Sequence, residues 1–254
     1  MCIRDRDVSL SILDADGNEI RTCGMDEIPT ERFTTFDNRG YEIDLVTGEP
    51  KATVSKGLNR FIWDMRHPNV SAIPGVPPVV MSPIAKPGTY QVRLTVDGKS
   101  QTHAFELKLN PNEVYSREQT DEKGKFWMQL HAKTEEAVQS VLAAQAAQKK
   151  VAKVREGAGS DELKAQAEVV HKLTQDYVAS MVATGATLVQ IISEPTKPIS
   201  LLVTLHNVQE HSEGPPNQPW LEVFEKIAGE MDAKIAEFDT ALETEMAKFV
   251  ELAP

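Results

Sequence analysis

Upstream of Asn110-Pro111-Asn112 the apolar residues recur at every second position, and downstream of it they recur every three to four. A period of 2 buries one face of a strand, whereas a period near 3.6 lays an apolar stripe along a helix. One regular element cannot satisfy both patterns. The chain is therefore expected to be α+β and multidomain, dividing near residues 110–120. The strand-built part spans 7–112 and the helical part 113–254. A length of 254 residues suits one large domain or two ordinary ones.

In the first part, Val8, Leu10 and Ile12 alternate with Ser9, Ser11 and Leu13, which reads as a half-buried strand. Asp14-Ala-Asp-Gly17-Asn18 supplies turn chemistry, and Glu19–Cys23 returns as a second strand. Residues 24–56 are polar and weakly patterned, with short strands expected near Tyr41–Leu45 and Ala52–Val54. Gly57–Pro68, carrying Leu58, Phe61 and Trp63, is expected to be a strong strand. Pro74, Pro77, Pro78, Pro83 and Pro87 then exclude central-strand pairing, because proline has no N–H for the ladder. That stretch reads as an ordered surface loop, with Val79–Met81 its best strand. Tyr90, Val92, Leu94 and Val96 alternate cleanly up to Asp97-Gly98, a dipeptide suited to a type I′ hairpin. The return strand is placed at Thr102–Leu109, with Ala104 or Phe105, Leu107 and Leu109 on its buried face. Gly57–Pro68 and Tyr90–Val96 together read as the centre of an immunoglobulin-like antiparallel sandwich.

In the second part, Trp127, Leu130, Thr134, Val138, Val141, Gln145, Gln148 and Val151 keep helical spacing, as do Leu163 through Ile191. Gly157 ends the first helix and Ser160 or Asp161 caps the next, giving an antiparallel hairpin of long arms. Pro195 and Pro198 are expected to break the second helix, and a shorter one covers Ile199–Gln209. Pro219 suits the first turn of a last helix, whose stripe runs from Trp220 to Phe249 and completes a bundle.

Charge narrows the partners. Residues 1–112 carry 13 Lys and Arg against 15 Asp and Glu, while residues 113–254 carry 14 against 23. So acidic a second half repels phosphate backbones and anionic lipid, and no nucleic acid partner is expected. No apolar run reaches the roughly 18 residues of a membrane-spanning segment. Residues 1–6 read as translated adaptor sequence of the kind that opens metagenomic reading frames. That leaves Cys23 as the one native cysteine, the true N-terminus missing, and the lack of a signal peptide uninformative.

Candidate chemistry is sparse. Asp14-Ala-Asp16-Gly17-Asn18 has its glycine too early for a calcium loop, and Met25 stands where the bidentate glutamate is required. His67, His103, His131, His171, His206 and His211 form no metal-binding spacing. The pairs Asp121/Glu122, Glu135/Glu136 and Asp161/Glu162 read as solvated helix positions. Trp63, Trp127 and Trp220 read as core and not as sugar platforms, so Trp63→Ala is expected to cost about 3–5 kcal/mol. Asn69-Val70-Ser71 is a formal glycosylation triplet. No catalytic, cofactor-binding or metal-ligating residue is assigned, and no cofactor.

Gly57-Leu-Asn-Arg-Phe-Ile-Trp63-Asp-Met-Arg66 and Pro87-Gly-Thr-Tyr90-Gln-Val-Arg-Leu-Thr-Val-Asp97-Gly98 resemble the C-terminal region of bacterial sortilin-like β-propeller proteins. These are secreted chains with BNR/Asp-box repeats, often labelled glycosyl hydrolases. Val8–Arg21 is similar to the family's first sandwich hairpin, and Gly214-Pro-Pro-Asn-Gln-Pro219 followed by Val223-Phe224 to the start of its last helix. The resemblance covers most of residues 7–250. It implies an Ig-like domain, related to that of flagellar-hook capping proteins, set between a propeller and a helical tail. It also implies an extracellular or periplasmic location and a missing N-terminal β-propeller of the same chain as partner. No Ser-x-Asp-x-Gly-x-x-Trp box occurs in these residues, so a propeller's activity does not carry over to them.

The expected function is that of a non-catalytic accessory C-terminal fragment of an exported propeller protein, with a structural or protein-interaction role. The rival is a carbohydrate-binding or glycoside-hydrolase-associated module with a site between sandwich and bundle. An exposed Trp in a cleft with two facing carboxylates would mark the rival; buried tryptophans would mark the first. An apolar docking patch for the propeller is expected near Val8–Leu13.

Overall fold

The structure, a computed structural model, describes residues 7–24, 31–36, 42–47, 57–76, 82–157, 159–185, 191, 196–212 and 214–253; for 31–36 and 42–47 it describes the backbone. The protein is α+β. Its strands are β1 Val8–Leu13, β2 Glu19–Cys23, β3 Glu31–Phe36, β4 Glu42–Thr47, β5 Gly88–Val96 and β6 Lys99–Leu107. The helices among the described residues are α1 Arg117–Arg155, α2 Asp161–Met181, α3 Pro198–His211 and α4 Gln218–Leu252. None is long and apolar enough to cross a membrane.

Two compact units form. One comprises Met1–Asn69, Ser82–Phe126 and Glu213–Pro215; the other comprises Val70–Met81, Trp127–Ser212 and Pro216–Pro254. Strand structure ends at Leu107 and α1 starts at Arg117, but the limit of the compact units falls inside α1, between Phe126 and Trp127.

In the first unit an antiparallel sheet runs in the order β2-β1-β5-β6, and β3 pairs with β4 in a separate two-stranded sheet. β1 is central and buried on both sides: Val8 and Ile12 from one parity, Ser11 and Leu13 from the other. The Asp14 carboxylate closes the β1–β2 turn. It accepts from the backbone N–H groups of Asp16 (3.0 Å) and Asn18 (2.8 Å) and from the Asn18 amide (2.9 Å). Asp97 and Gly98 lie at φ 49° and 76°, the two positive angles a type I′ hairpin requires, and they join Val96 to Lys99.

Gly57–Pro68 is not a strand. Among the described residues, 57–64 join no ladder, and the segment's bridge is Arg66 to Ile84. Met65 sits in the left-handed region at φ 59°, which interrupts extended backbone. Side chains fasten the segment instead. The Trp63 indole N–H donates to the Arg66 carbonyl (3.1 Å), Arg66 Nη1 to the Ser82 carbonyl (2.8 Å), and Arg21 Nη1 to Asp64 (3.1 Å). The alternation survives without the ladder: Phe61 and Trp63 are half-buried while Ile62 and Asp64 are exposed. Trp63 meets Tyr90 (5.7 Å between centroids) and Phe105 (6.2 Å) edge-on, and those two rings are a cross-strand pair of β5 and β6.

Further expectations need revision. β3 lies where no strand was anticipated, and β4 falls where Tyr41–Leu45 was expected. Residues 1–6, Ala52–Val54, Val79–Met81 and Leu188 lie outside the described residues. Within Val8–Leu13 itself Val8, Ile12 and Leu13 are core, while Leu10 is half-buried opposite the exposed Leu94 of β5. The exposed apolar side chains of this unit include Leu58, Ile62, Met65 and Ile84.

In the second unit, α2 ends at Met181 and does not run on to Pro195: Val182 is extended and Gly185 turns at φ 78°. Ser160 caps α2 by accepting from Leu163 N–H (3.2 Å), and Asn217 caps α4 by accepting from Trp220 N–H (3.0 Å). Ala147 and Val151 of α1, Leu163, Ala167 and Val170 of α2 and Phe249 of α4 share one apolar cluster. Tyr177 of α2 stacks on Phe238 of α4 at 3.7 Å, with its hydroxyl 2.7 Å from Ser140 Oγ of α1. Lys133 of α1 and Asp232 of α4 pair at 2.6 Å.

Candidate functional site

Polar residues in an apolar helix face cost free energy to bury unless they are partnered, so such residues mark a candidate site. In the helical unit α1 contributes Trp127 and Thr134, seven residues apart and so on one face, with the Leu130 carbonyl between them. α3 contributes His206 and Gln209 from the face that also buries Leu202 and Val203. The group is enclosed: Trp127 is 3 % exposed, His206 2 %, Thr134 and Gln209 0 %.

The bonds fix the state of the histidine. The Trp127 indole N–H donates to His206 Nδ1 (3.1 Å), so the ring proton sits on Nε2, which faces Thr134 Oγ1 at 3.3 Å. The Thr134 hydroxyl in turn donates to the Leu130 carbonyl (2.7 Å). His131 approaches the ring edge-on at 6.4 Å. Burial first, and the nearby His131 second, push the His206 pKa down to about 3. It is a neutral imidazole with both nitrogens engaged, and such a ring braces two helices instead of moving protons.

Gln209 is different. Among the described residues neither its amide nitrogen nor its amide oxygen has a hydrogen-bond partner. An orphaned buried polar group costs about 1–3 kcal/mol. Gln209→Met, close in volume, is therefore expected to raise stability by about 1–3 kcal/mol in urea unfolding. A loss of stability would instead reveal a bound polar partner.

The other sequence candidates are dispersed. Asp14 is committed to its turn, and the Asn18 amide holds its carboxyl below the usual carboxylate range. Glu136 pairs with Lys133 (2.6 Å), and Asp161 lies 3.8 Å from Lys164 at the start of α2. Glu135 accepts from Ser71 and Gln139. His67 and His171 are half-buried, His103 and His211 exposed, and Cys23 is buried. Trp63 and Trp220 are half-buried. Among the described residues no three His, Cys, Asp or Glu side chains converge to hold a metal ion.

Spacing alone missed the Trp127–His206–Thr134 chain. Its one sequence signal was polar Thr134, His206 and Gln209 standing at core positions of helical stripes. Comparison with protein-family models, with curated proteins and with solved structures finds no match to this chain.

Proposed function

We propose that residues 7–254 are a non-catalytic accessory module with a structural or protein-interaction role, of the kind that follows the propeller in the sortilin-like proteins whose strand motifs this chain resembles. The observation that carries the reading is the employment of its polar side chains. Asp14, Glu135 and His206 all serve bonds within the protein. Exposed apolar side chains on one loop, Leu58 at 97 % and Ile62 at 68 %, favour contact with a protein partner. The tryptophans agree with this: Trp127 is enclosed, and Trp63 is turned onto Tyr90 and Phe105.

The finer architecture belongs to the same proposal. The first unit is an Ig-like sandwich, with the four-stranded sheet as one layer and β3–β4 contributing to the other. Burial of β1 on both sides supports it. The second unit is an antiparallel helical bundle, supported by the apolar cluster common to α1, α2 and α4.

The test has two parts. The reading frame upstream on the same contig is expected to encode Asp-box repeats, and the separately produced propeller is expected to bind purified residues 7–254 in calorimetry. Turnover of a glycoside or peptide substrate by residues 7–254, abolished by one carboxylate or histidine substitution, would overturn the proposal. Binding on a glycan array that is lost in Trp63→Ala or Trp220→Ala would favour the carbohydrate-binding rival.

A further inference from the structure

Val70–Val76 folds with the helical unit, although the chain on both sides of Val70–Met81 belongs to the other unit. This arm carries two buried apolar side chains, Val70 and Ile73, and a turn at Pro74-Gly75 with Gly75 at φ 83° and Val76 N–H bonded to the Ile73 carbonyl (3.1 Å). Its polar fastening lies on α1. Ser71 donates twice to Glu135, from its N–H to Oε2 and from its hydroxyl to Oε1, both at 2.7 Å. Gln139, one turn on, donates to Glu135 Oε1 (2.6 Å) and to Ser71 Oγ (2.9 Å). Gln145 reaches the Pro74 carbonyl at 3.4 Å. Positions 135 to 145 span about 15 Å of helix, so the arm is strapped along α1 and not pinned at a point.

We propose that Glu135 is a carboxylate latch that holds the arm Val70–Val76 on α1 and releases it on protonation. The reason lies in the donors. Oε2 faces a backbone N–H and Oε1 faces an amide N–H, and neither group can accept a hydrogen bond. Oε1 also accepts from the Ser71 hydroxyl, so three donors converge on one carboxylate. A proton removes the negative charge that strengthens all three bonds, and one placed toward either N–H displaces it. Among the described groups, His131, one turn earlier on α1, acts on Glu135, and its charged form favours the carboxylate. Lys133 and Glu136 beside it pair with each other, and Lys133 also with Asp232 of α4. The arm itself has no titratable side chain from Val70 to Val76. Burial raises the Glu135 pKa, but the bonds from Gln139 and Ser71 outweigh it and leave the carboxyl below the usual glutamate range. A depressed folded pKa means that the latch is closed above that range and opens as pH falls through it. The released arm would bare Val70 and Ile73.

Glu135→Gln places a nitrogen donor among donors at every pH and so imitates the protonated state. At neutral pH, hydrogen exchange of the arm is expected to quicken about tenfold or more in this variant, with exchange across Val141–Val151 unchanged. In the unaltered protein the Ser71 amide resonance should titrate with a midpoint below the usual glutamate range, and that titration should vanish in Glu135→Gln. Unchanged arm protection in the variant overturns the latch. Should the variant fail to fold, the unaltered protein decides: resonances throughout Val70–Val76 that move together with the Ser71 titration support the latch, and movement confined to Ser71, or a flat profile, overturns it.

Discussion

Trp127→Ala should be among the most damaging single substitutions in the helical unit, lowering the unfolding free energy by about 3–5 kcal/mol. Two losses combine. A 3 %-exposed indole is removed from the core, and His206 Nδ1 loses the N–H donated to it at 3.1 Å. Trp127→Phe separates them, since it keeps most of the ring volume and removes the donor, and should cost about 1–3 kcal/mol. Urea unfolding of both variants measures the difference. Equal effects for Ala and Phe would mean that the hydrogen bond, and not the packing, dominates.

The second large effect is with pH. His206 has an ordinary pKa near 6.5 in the unfolded chain and one of about 3 when folded. Between those values the unfolded state binds a proton that the folded state refuses, so stability rises with pH through the window and falls on acidification. The full span is worth on the order of 5 kcal/mol. Unfolding measured from pH 7 down to 4 should show most of that loss, and His206→Asn should flatten the slope over pH 6.5–4.5 whatever its own cost. Glu135 acts in the same direction, but only from the ordinary glutamate value downward, so it overlaps the acid end of the His206 window and leaves the stretch from pH 6.5 to 4.5 free of its contribution. A wild-type profile flat from pH 6.5 to 4.5 would show that the buried ring does protonate in place.

The helical candidate site was legible only in outline. Thr134 and Gln145 both keep the helical spacing of α1, yet they do different things. Thr134 is buried and joins the His206 chain, whereas Gln145 reaches the arm at the Pro74 carbonyl. Helical spacing reports which face a residue occupies but not which segment, distant in sequence, will meet it. Sequence position alone reads Glu135 and Glu136 alike, as solvated acids. One holds Ser71 and the other Lys133 because they point about 100° apart around the helix.

What the sequence determined by itself was local. Asp14 to Asn18 closes a turn through its own side chains, Asp97-Gly98 tolerates the positive φ angles of a tight hairpin, and Ser160 and Asn217 cap helices within three residues. Backbone sterics and short-range hydrogen bonds decide each of these without reference to the rest of the chain. Period-2 alternation determined that Phe61 and Trp63 face inward, but not that their segment joins a ladder. Alternation marks extended backbone on an apolar surface, while a strand also needs a neighbour for its N–H and C=O groups. That neighbour was a tertiary matter: β1 pairs with β2 on one side and β5 on the other, and Gly57–Asp64 is held by Trp63, Asp64 and Arg66 side chains. Tertiary structure likewise joined His206 to Trp127 across 79 residues and Ser71 to Glu135 across 64. Such contacts depend on which surfaces meet after the elements have formed, and that information is spread over the whole chain instead of any one window of it.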